Sequence, residues 1–203
     1  MTILLILLSY LTGAFPSAFI VGKSFFSIDI RQHGSGNAGA TNTFRVLGKA
    51  AGTIVLIIDV FKGWLVVNFV YLFPSIYINP ELIFEYQLLF GVFAVLGHLF
   101  PVYTRFRGGK GIATLLGILI GLHSFSAFVS CMVFITVLLA FRYVSLASIF
   151  SAIAFPIIIY FFSESSDVSL IIFSIFVPLL ALSTHHKNIR RLLRGKERKI
   201  KFK

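Results

Sequence analysis

Long apolar stretches separated by short polar segments limit the folds that this chain of 203 residues can adopt. Five of them approach or reach the roughly 20 residues that a transmembrane helix needs: 3–22, 50–73, 86–103, 145–162 and 168–184. Only 12% of the residues are charged, whereas soluble domains average roughly 25%. The composition therefore excludes a soluble enzyme, a disordered protein and a disulfide scaffold, and favours a polytopic membrane protein.

A sixth apolar stretch, 111–141, is too long for one comfortable helix and has glycine and polar residues at its middle. A break near His123 gives helices over 112–122 and 124–141 and seven segments in all, whereas one tilted helix gives six. With seven, every Lys and Arg except Lys62 falls on one side of the membrane. Because basic loops stay in the cytoplasm, we predict an all-α membrane protein with seven transmembrane helices, an extracellular N-terminus and a cytoplasmic C-terminus.

The two predicted sides differ in charge. The cytoplasmic segments are 23–49, 104–110, 142–144 and 185–203. The opposite connections are 74–85, 122–124 and 163–167, which contain no basic residue and hold Glu81, Glu85, Glu164 and Asp167. The net charge of +11 is therefore a signal of topology, and no nucleic-acid partner is expected of a chain that is 58% apolar. Since no long linker or repeat divides the chain, residues 1–203 are predicted to form one domain.

A polar, glycine-rich segment, GSGNAGATNTFR at 34–45, lies in the first cytoplasmic segment. Its glycines allow backbone N–H groups to converge on one point, and Ser35, Asn37 and Asn42 add small donors. Arg45 adds a forked cation that suits a phosphate. A flexible interfacial loop is the alternative interpretation, but such a loop does not need this density of donors beside an arginine.

A second segment, GHLFPVYTRFRGGKGIAT at 97–114, places GGKG at the start of an apolar helix. The N–H groups at a helix N-terminus favour an anion, and Lys110 adds a cation. Gly111 stands where a Walker A loop requires Ser or Thr, so a nucleotide-binding P-loop is not predicted. Glycines that permit tight helix packing are the alternative. His98 by itself is more typical of a buried hydrogen-bonding histidine than of a catalyst.

Two further polar pairs accompany these loops. Asp59 and Lys62 are three residues apart in an uncharged membrane segment, where charges are costly and usually pair. That pair can be catalytic or can support a polar cavity. His185 and Asn188 share one side of a helix, and either a functional or a structural role fits them. The basic residues over 190–203 are expected to lie on anionic lipid.

No metal site and no serine hydrolase are predicted. The histidines at 185 and 186 are adjacent, and few carboxylates face the cytoplasm. The chain has no G-x-S-x-G elbow, and its single cysteine, Cys131, can form no intrachain disulfide. The polar clusters together predict a membrane-embedded anion site on the cytoplasmic side.

These motifs together resemble the PlsY-type acyl-phosphate:glycerol-3-phosphate acyltransferases of bacteria. The resemblance rests on four segments in the same order: SGNAGATNTFR (35–45), D-x-x-KG (59–63), GHLFPVYTRFRGGKGIAT (97–114) and H-x-x-NIRRLLRGKE (185–197). It covers essentially the whole chain and implies seven transmembrane helices in the bacterial cytoplasmic (inner) membrane, with the active site facing the cytoplasm. Two positions depart from the pattern: Thr184 stands where Arg often precedes the histidine, and Arg107 stands where Lys is common.

The resemblance implies transfer of a fatty acyl group from acyl phosphate to the 1-hydroxyl of glycerol 3-phosphate, giving lysophosphatidic acid and phosphate in phospholipid biosynthesis. The residues that it predicts to be catalytic are Ser35, Arg45, Lys110, His185 and Asn188. The predicted phosphate-binding residues are Ser35, Gly36, Asn37, Asn42, Arg45, His98, Gly108, Gly109, Lys110, Gly111 and Asn188. Structural support is predicted for Asp59, Lys62 and Glu197.

No convincing nucleophile–base pair is visible, so we predict direct attack by the glycerol hydroxyl, with a substrate phosphate accepting the proton. None of the 5 histidines is followed by Asp five positions later, so the H-x4-D motif of acyl-CoA-dependent or acyl-carrier-protein-dependent acyltransferases is absent. This absence favours acyl phosphate as the donor. The predicted partners are both substrates, membrane lipid and an enzyme that produces acyl phosphate; no cofactor is predicted.

Two other functions suit some of these features. A transporter of organic phosphate would also use seven helices and a buried ion pair, but it would be expected to show an inverted repeat and polar groups at the bilayer centre. The sequence has no visible repeat, and its motifs lie toward one side. A lipid-binding scaffold would need the basic tail but neither GGKG nor the pair of Asp59 and Lys62.

Overall fold

The structure, a computed structural model, describes residues 2–72, 80–162 and 168–200, and within these ranges it contains helices, turns and loops but no strand. The α-helices are α1 (Thr2–Ala14), α2 (Ser17–Phe26), α3 (Ala40–Leu47), α4 (Lys49–Val67), α5 (Phe69–Leu72), α6 (Ile83–Leu99), α7 (Ile112–Leu122), α8 (Ser124–Phe141), α9 (Val144–Phe162), α10 (Val168–Thr184) and α11 (His186–Leu193). Single turns of 3₁₀-helix lie at Ile30–Gln32, Pro80–Leu82 and Val102–Thr104. The all-α prediction is confirmed for the described residues; Glu164 and Asp167 lie outside them.

Several helices are long and apolar enough to cross a membrane. Among the described residues, 4 qualify alone: α4, Ile83–Thr104, α8 and α9. The number rises to 6 if the bent pairs α1–α2 and α10–α11 each count as one span, and α7 is a shorter apolar helix. The predicted break near His123 is confirmed, because α7 ends at Leu122 and α8 begins at Ser124. The chain is therefore a multi-pass membrane protein.

The first apolar stretch is not the single helix that its composition predicts over 3–22. α1 ends at Ala14, α2 begins at Ser17, and the two helix axes differ by 43°. Pro16 lacks a backbone N–H and restricts the residue before it, which favours a break in the helix at this position. Similarly, the stretch predicted over 50–73 is divided into α4 and α5 at Asn68.

The helices form two compact units, Met1–Leu122 and His123–Lys203. In the first unit α1 packs against α6, and α4 packs against α7. The backbones approach so closely that a Cβ at Gly13 would collide with the Ala94 carbonyl, and one at Gly117 would collide with the Val60 carbonyl. Small residues at such crossings are the usual packing device of membrane helices, because lipid supplies no hydrophobic force between them.

The second unit is built on α9, which packs against both α8 and α10. The rings of Phe155 and Phe173 meet edge to face at 6.5 Å between centroids. The tail after α11 folds back within this unit, and the Ile200 N–H donates to the Arg142 carbonyl oxygen at 2.8 Å. The formation of a single domain by residues 1–203 stays a prediction.

Candidate active site

The first glycine-rich loop is folded around the side chain of Asn42. This residue lies in α3, and only 1% of its surface is exposed. Its Oδ1 accepts the Ser35 N–H at 2.8 Å, and its Nδ2 donates to the carbonyl oxygens of Ile30 and His33 at 3.0 Å each. Both N–H donors of Asn42 are thus committed to the chain itself, so its contribution to a phosphate site lies in the backbone that it orders.

The other candidate residues of this loop lie nearer the surface. Ser35 and Gly36 are exposed, whereas Asn37 and Arg45 are half-buried. Gly36 has a φ of +73°, a left-handed conformation that favours glycine. Arg45 occupies the last turn of α3. The small donors that look equivalent in sequence are therefore divided between an internal role for Asn42 and positions nearer the surface for Ser35 and Asn37.

The GGKG loop packs against His98, at the end of α6, before α7 begins. The Gly109 N–H donates to the His98 carbonyl oxygen at 3.1 Å. A Cβ at Gly108 would collide with that same carbonyl oxygen, and a Cβ at Gly109 would collide with the His98 Nε2. Gly111 is different, because its φ of +80° is left-handed. Gly108 and Gly109 are needed because a side chain would not fit there, and Gly111 is favoured because of its backbone conformation.

The two glycine-rich loops meet at one small cavity. A Cβ at Gly109 would lie 3.1 Å from the Ala38 carbonyl oxygen of the first loop. The residues that line this cavity include Ser17, Ala38, Lys62, His98, Arg107, Gly108 and Gly109. The fold of the first unit therefore brings Ala38 of the first loop, Gly108 and Gly109 of the GGKG loop, and Lys62 of the buried pair to one cavity. Lys110, the next residue of the GGKG loop, is half-buried.

The buried pair of α4 is confirmed as an ion pair, and both of its side chains form further hydrogen bonds within the protein. Asp59 and Lys62 are 1% and 4% exposed, and Lys62 Nζ lies 2.8 Å from Asp59 Oδ1. Ser17 Oγ, at the start of α2, donates to Asp59 Oδ1 at 2.7 Å, and Lys62 Nζ donates to the Phe15 carbonyl at 3.1 Å. The pair thus binds both sides of the break at Pro16, which favours structural support over catalysis.

His98 lies between this pair and the start of α7. Its Nδ1 is 3.2 Å from Thr114 Oγ1 and 3.7 Å from Asp59 Oδ1, and the residue is 7% exposed. In a catalytic triad the hydroxyl and the carboxylate contact opposite ring nitrogens. Here both approach the same nitrogen, so Asp59 does not orient the ring through the nitrogen opposite the Thr114 hydroxyl. This arrangement is not a nucleophile–base relay.

Arg31 is a part of this region that no motif marks. Its Nε and Nη2 bind Asp29 at 3.0 and 2.8 Å, and its Nη1 donates to the Thr104 carbonyl at 3.2 Å. The guanidinium carbon also lies 4.7 Å from the centroid of the Phe19 ring. The contact with Thr104 joins the first cytoplasmic segment to the turn before the GGKG loop. These partners are 73 residues apart, so only the fold reveals the link.

The Arg31 guanidinium also changes the ionisation of its neighbour. Its hydrogen bonds hold the pKa of Asp29 below the ordinary value of 3.8, and the same contact raises the pKa of Arg31. Because the carboxyl pKa is lowered on folding, this contact stabilises the fold above pH ~3.9. The stabilisation is lost as the pH falls through the lowered pKa.

In the second unit, Glu197 holds the tail against two helices. Its Oε1 accepts hydrogen bonds from Asn188 Nδ2 at 2.7 Å and from Ser145 Oγ at 3.0 Å. Its Oε2 lies 2.9 Å from Arg191 Nε. Glu197 therefore orients the Asn188 amide, and its supporting role in the site stays a prediction.

His185 lies in the same unit, between α10 and α11, and is 3% exposed. Its Nδ1–H donates to the Ala181 carbonyl oxygen at 2.8 Å, and Thr184 Oγ1 lies 3.4 Å from the same nitrogen. The ring is thus held by its own helix at the position where the motif departs from its usual arginine. Roles of His185 and Asn188 in the reaction stay predictions.

Fold and site together define a multi-pass helical membrane protein with two glycine-rich loops beside a buried ion pair. Residues 3–195 match the family model described as glycerol-3-phosphate acyltransferase. The glycerol-3-phosphate acyltransferase of Staphylococcus aureus (strain JH9) is 46% identical over 206 residues, covering 100% of this chain and 99% of that protein. The chain therefore belongs to the glycerol-3-phosphate acyltransferase family, as its motifs predict.

Two solved structures resemble this fold along nearly all of its length. One is the glycerol 3-phosphate form of PlsY, an integral membrane glycerol 3-phosphate acyltransferase, with a TM-score of 0.86 and 33% identity over 98% of this chain and 96% of that one. The other is the lysophosphatidic acid form of PlsY, with a TM-score of 0.83 and 32% identity over 98% and 95%. The helical architecture is therefore that of a known integral membrane enzyme.

Proposed function

We propose that this protein transfers a fatty acyl group from acyl phosphate to the 1-hydroxyl of sn-glycerol 3-phosphate. The products are lysophosphatidic acid and inorganic phosphate, in bacterial phospholipid biosynthesis. The observation that carries the proposal is the meeting of both glycine-rich loops at one cavity, in a chain whose whole length matches the family. Both proposed substrates carry a phosphate, so two anion-binding loops side by side suit this pair of reactants.

Each loop supplies groups that suit an anion. We propose that Ser35 and Arg45 bind a substrate phosphate on one side, with Gly36 and Asn37, and that Lys110 and its glycines bind on the other. Holding the two reactants in contact removes much of the entropic barrier. Cations and N–H donors also stabilise the charge that develops on the leaving phosphate. His185 and Asn188 are proposed to take part as well, on the basis of their motif.

The proposed chemistry is a direct acyl transfer without an acyl-enzyme. The glycerol hydroxyl oxygen attacks the carbonyl carbon of acyl phosphate, the bond from that carbon to the phosphate oxygen breaks, and the hydroxyl proton passes to a substrate phosphate. The geometry at His98 supports this route, because the Thr114 hydroxyl and the Asp59 carboxylate approach one and the same ring nitrogen. A trapped acyl-enzyme or ping-pong kinetics would overturn it.

We also propose seven membrane spans in the bacterial cytoplasmic membrane, an extracellular N-terminus and a cytoplasmic active site and C-terminus. The distribution of Lys and Arg supports this orientation. The separation of α7 from α8 supports the count. Acyl phosphate is reactive, so functional coupling to an enzyme that produces it would limit its loss to water.

The direct test uses the purified protein in detergent with palmitoyl phosphate and glycerol 3-phosphate, and follows release of phosphate without added metal. We expect turnover, and we expect Lys110→Ala and Arg45→Ala to lower the rate about 100-fold or more, because each removes a cation from the proposed phosphate sites.

Lys49→Ala is the matched control, since Lys49 is an exposed cation at the start of α4 outside the motif residues. We expect its rate to stay close to that of the unsubstituted protein. No turnover with acyl phosphate, or turnover only with acyl-CoA, would contradict the proposed function.

A further inference from the structure

We propose that His98 is a positioning residue that fixes the GGKG loop, and that Thr114 holds the His98 ring in place. This inference rests on the proposed function, because it takes the loop as a binding site for a substrate phosphate. It assigns His98 a different role from the phosphate contact that the motif implies, and it adds Thr114 to the residues that govern the site.

The first support is the contact between His98 and the loop backbone. The His98 carbonyl oxygen accepts the Gly109 N–H at 3.1 Å. No Cβ fits at Gly108 beneath that oxygen, and none fits at Gly109 beside the His98 Nε2. His98, at the end of α6, therefore fixes how closely the GGKG loop approaches α6, through both its main chain and its side chain.

The second support is the contact between the His98 ring and α7. Thr114 lies in the first turn of α7 and is fully buried, and its Oγ1 is 3.2 Å from His98 Nδ1. The ring thus touches the loop at Gly109 through one edge and the following helix through the other. Lys110 and Gly111 lie between these two contacts, so His98 constrains the loop from both of its ends.

The geometry of His98 argues against a triad-like relay role in the reaction. The residue is 7% exposed, and its partners Thr114 and Asp59 approach a single ring nitrogen. If a residue only orients a binding loop, a substitution that loosens that residue should lower the affinity for the substrate.

The first experiment compares Thr114→Val with Thr114→Ser in the phosphate-release assay. Valine keeps the shape but loses the hydroxyl, whereas serine keeps the hydroxyl. We expect Thr114→Val to raise the KM for glycerol 3-phosphate about tenfold with kcat little changed, and Thr114→Ser to stay close to the unsubstituted protein. Loss of folded protein alone would lower kcat and leave KM unchanged.

Ser9→Ala is the control for loss of a buried hydroxyl in the same unit. Ser9 is fully buried, and its Oγ donates to the Leu5 carbonyl within α1. We expect its KM to be unchanged. An unchanged KM in Thr114→Val would overturn the positioning role while leaving the proposed function intact, whereas absence of turnover by the unsubstituted protein would contradict the proposed function.

The second experiment is a pair of double-mutant cycles with His98→Ser. Gly109→Ala places a Cβ against the His98 side chain, so its cost in kcat/KM should be several-fold smaller once that side chain is shortened. Gly108→Ala places a Cβ against the His98 backbone oxygen, which His98→Ser retains. Gly108→Ala should therefore cost the same in both backgrounds. If His98→Ser reduced the kcat/KM cost of both glycine substitutions equally, or of neither, the positioning role of His98 would be contradicted.

Discussion

At the residue scale, the candidate site depends on which polar side chains turn inward. Ser35 and Asn42 are both small polar residues of one motif, and spacing alone gives them the same role as phosphate donors. In the structure Ser35 is exposed, whereas Asn42 is buried and its side-chain amide forms hydrogen bonds with three backbone groups. Buried backbone groups need partners, so a loop with few regular hydrogen bonds requires such a residue.

Replacement of Asn42 by Asp tests this role. The carboxylate keeps the shape but cannot donate to the carbonyls of Ile30 and His33, so buried groups lose their partners. We expect the free energy of unfolding in detergent to fall by about 3 kcal/mol and the KM for glycerol 3-phosphate to rise. Asn68→Asp is the control, because the Asn68 side chain donates to the Trp64 carbonyl in the adjoining α4. Equal losses in both variants would contradict the role of Asn42.

At the scale of the element, the break between α1 and α2 shows how a proline and a buried ion pair act together. Pro16 interrupts the helix, and the interruption leaves main-chain and side-chain polar groups in an apolar region. Lys62 Nζ binds the Phe15 carbonyl at the end of the first helix, and Asp59 accepts the Ser17 hydroxyl at the start of the second. A cation at a helix C-terminus and an anion at an N-terminus also match the two helix dipoles.

A double-mutant cycle on Asp59→Asn and Lys62→Met tests this interpretation. Each single variant leaves one charge buried without its partner, and we expect each to cost about 3 kcal/mol of unfolding free energy. The double variant removes both charges, so its cost should be clearly smaller than the sum of the two. A denaturant titration in detergent measures the values, and additive losses would show that the two side chains act independently.

At the scale of the whole molecule, the distribution of charge predicts the topology before any contact is known. Seven spans place Arg142 in the cytoplasm and the connection at 163–167 outside, whereas six spans exchange them. The exchange would also move the basic tail to the outside, against the positive-inside rule. The count of spans is therefore tested best at these two connections.

Single cysteines in a Cys131→Ser background, probed with a membrane-impermeant maleimide, distinguish the two topologies. With seven spans we expect Ser165→Cys to be labelled in intact cells, and Arg142→Cys and Gly195→Cys to be labelled only after lysis. The reverse pattern would establish six spans. Equal labelling of all three after lysis is the control for reactivity.

Much of the helix pattern was predictable because membrane insertion depends on local composition. The bounds predicted at 112–122, 124–141 and 168–184 are those of α7, α8 and α10. The single helix predicted over 3–22 was wrong, because an apolar count does not register the missing N–H of Pro16. The second predicted span also extended beyond α4, because the apolar run continues past Asn68 into α5.

The sequence by itself determined that this is a helical membrane protein of the acyltransferase family, because hydropathy and motif residues are local properties of the chain. Only the tertiary structure decided which motif residues are buried and bound by other parts of the chain. Asn42, Asp59, Lys62 and His98 act through partners that are mostly distant in sequence, such as Phe15 at 47 residues from Lys62 and Thr114 at 16 residues from His98. Such contacts arise from the packing of helices with small residues at their crossings, and no local pattern encodes them.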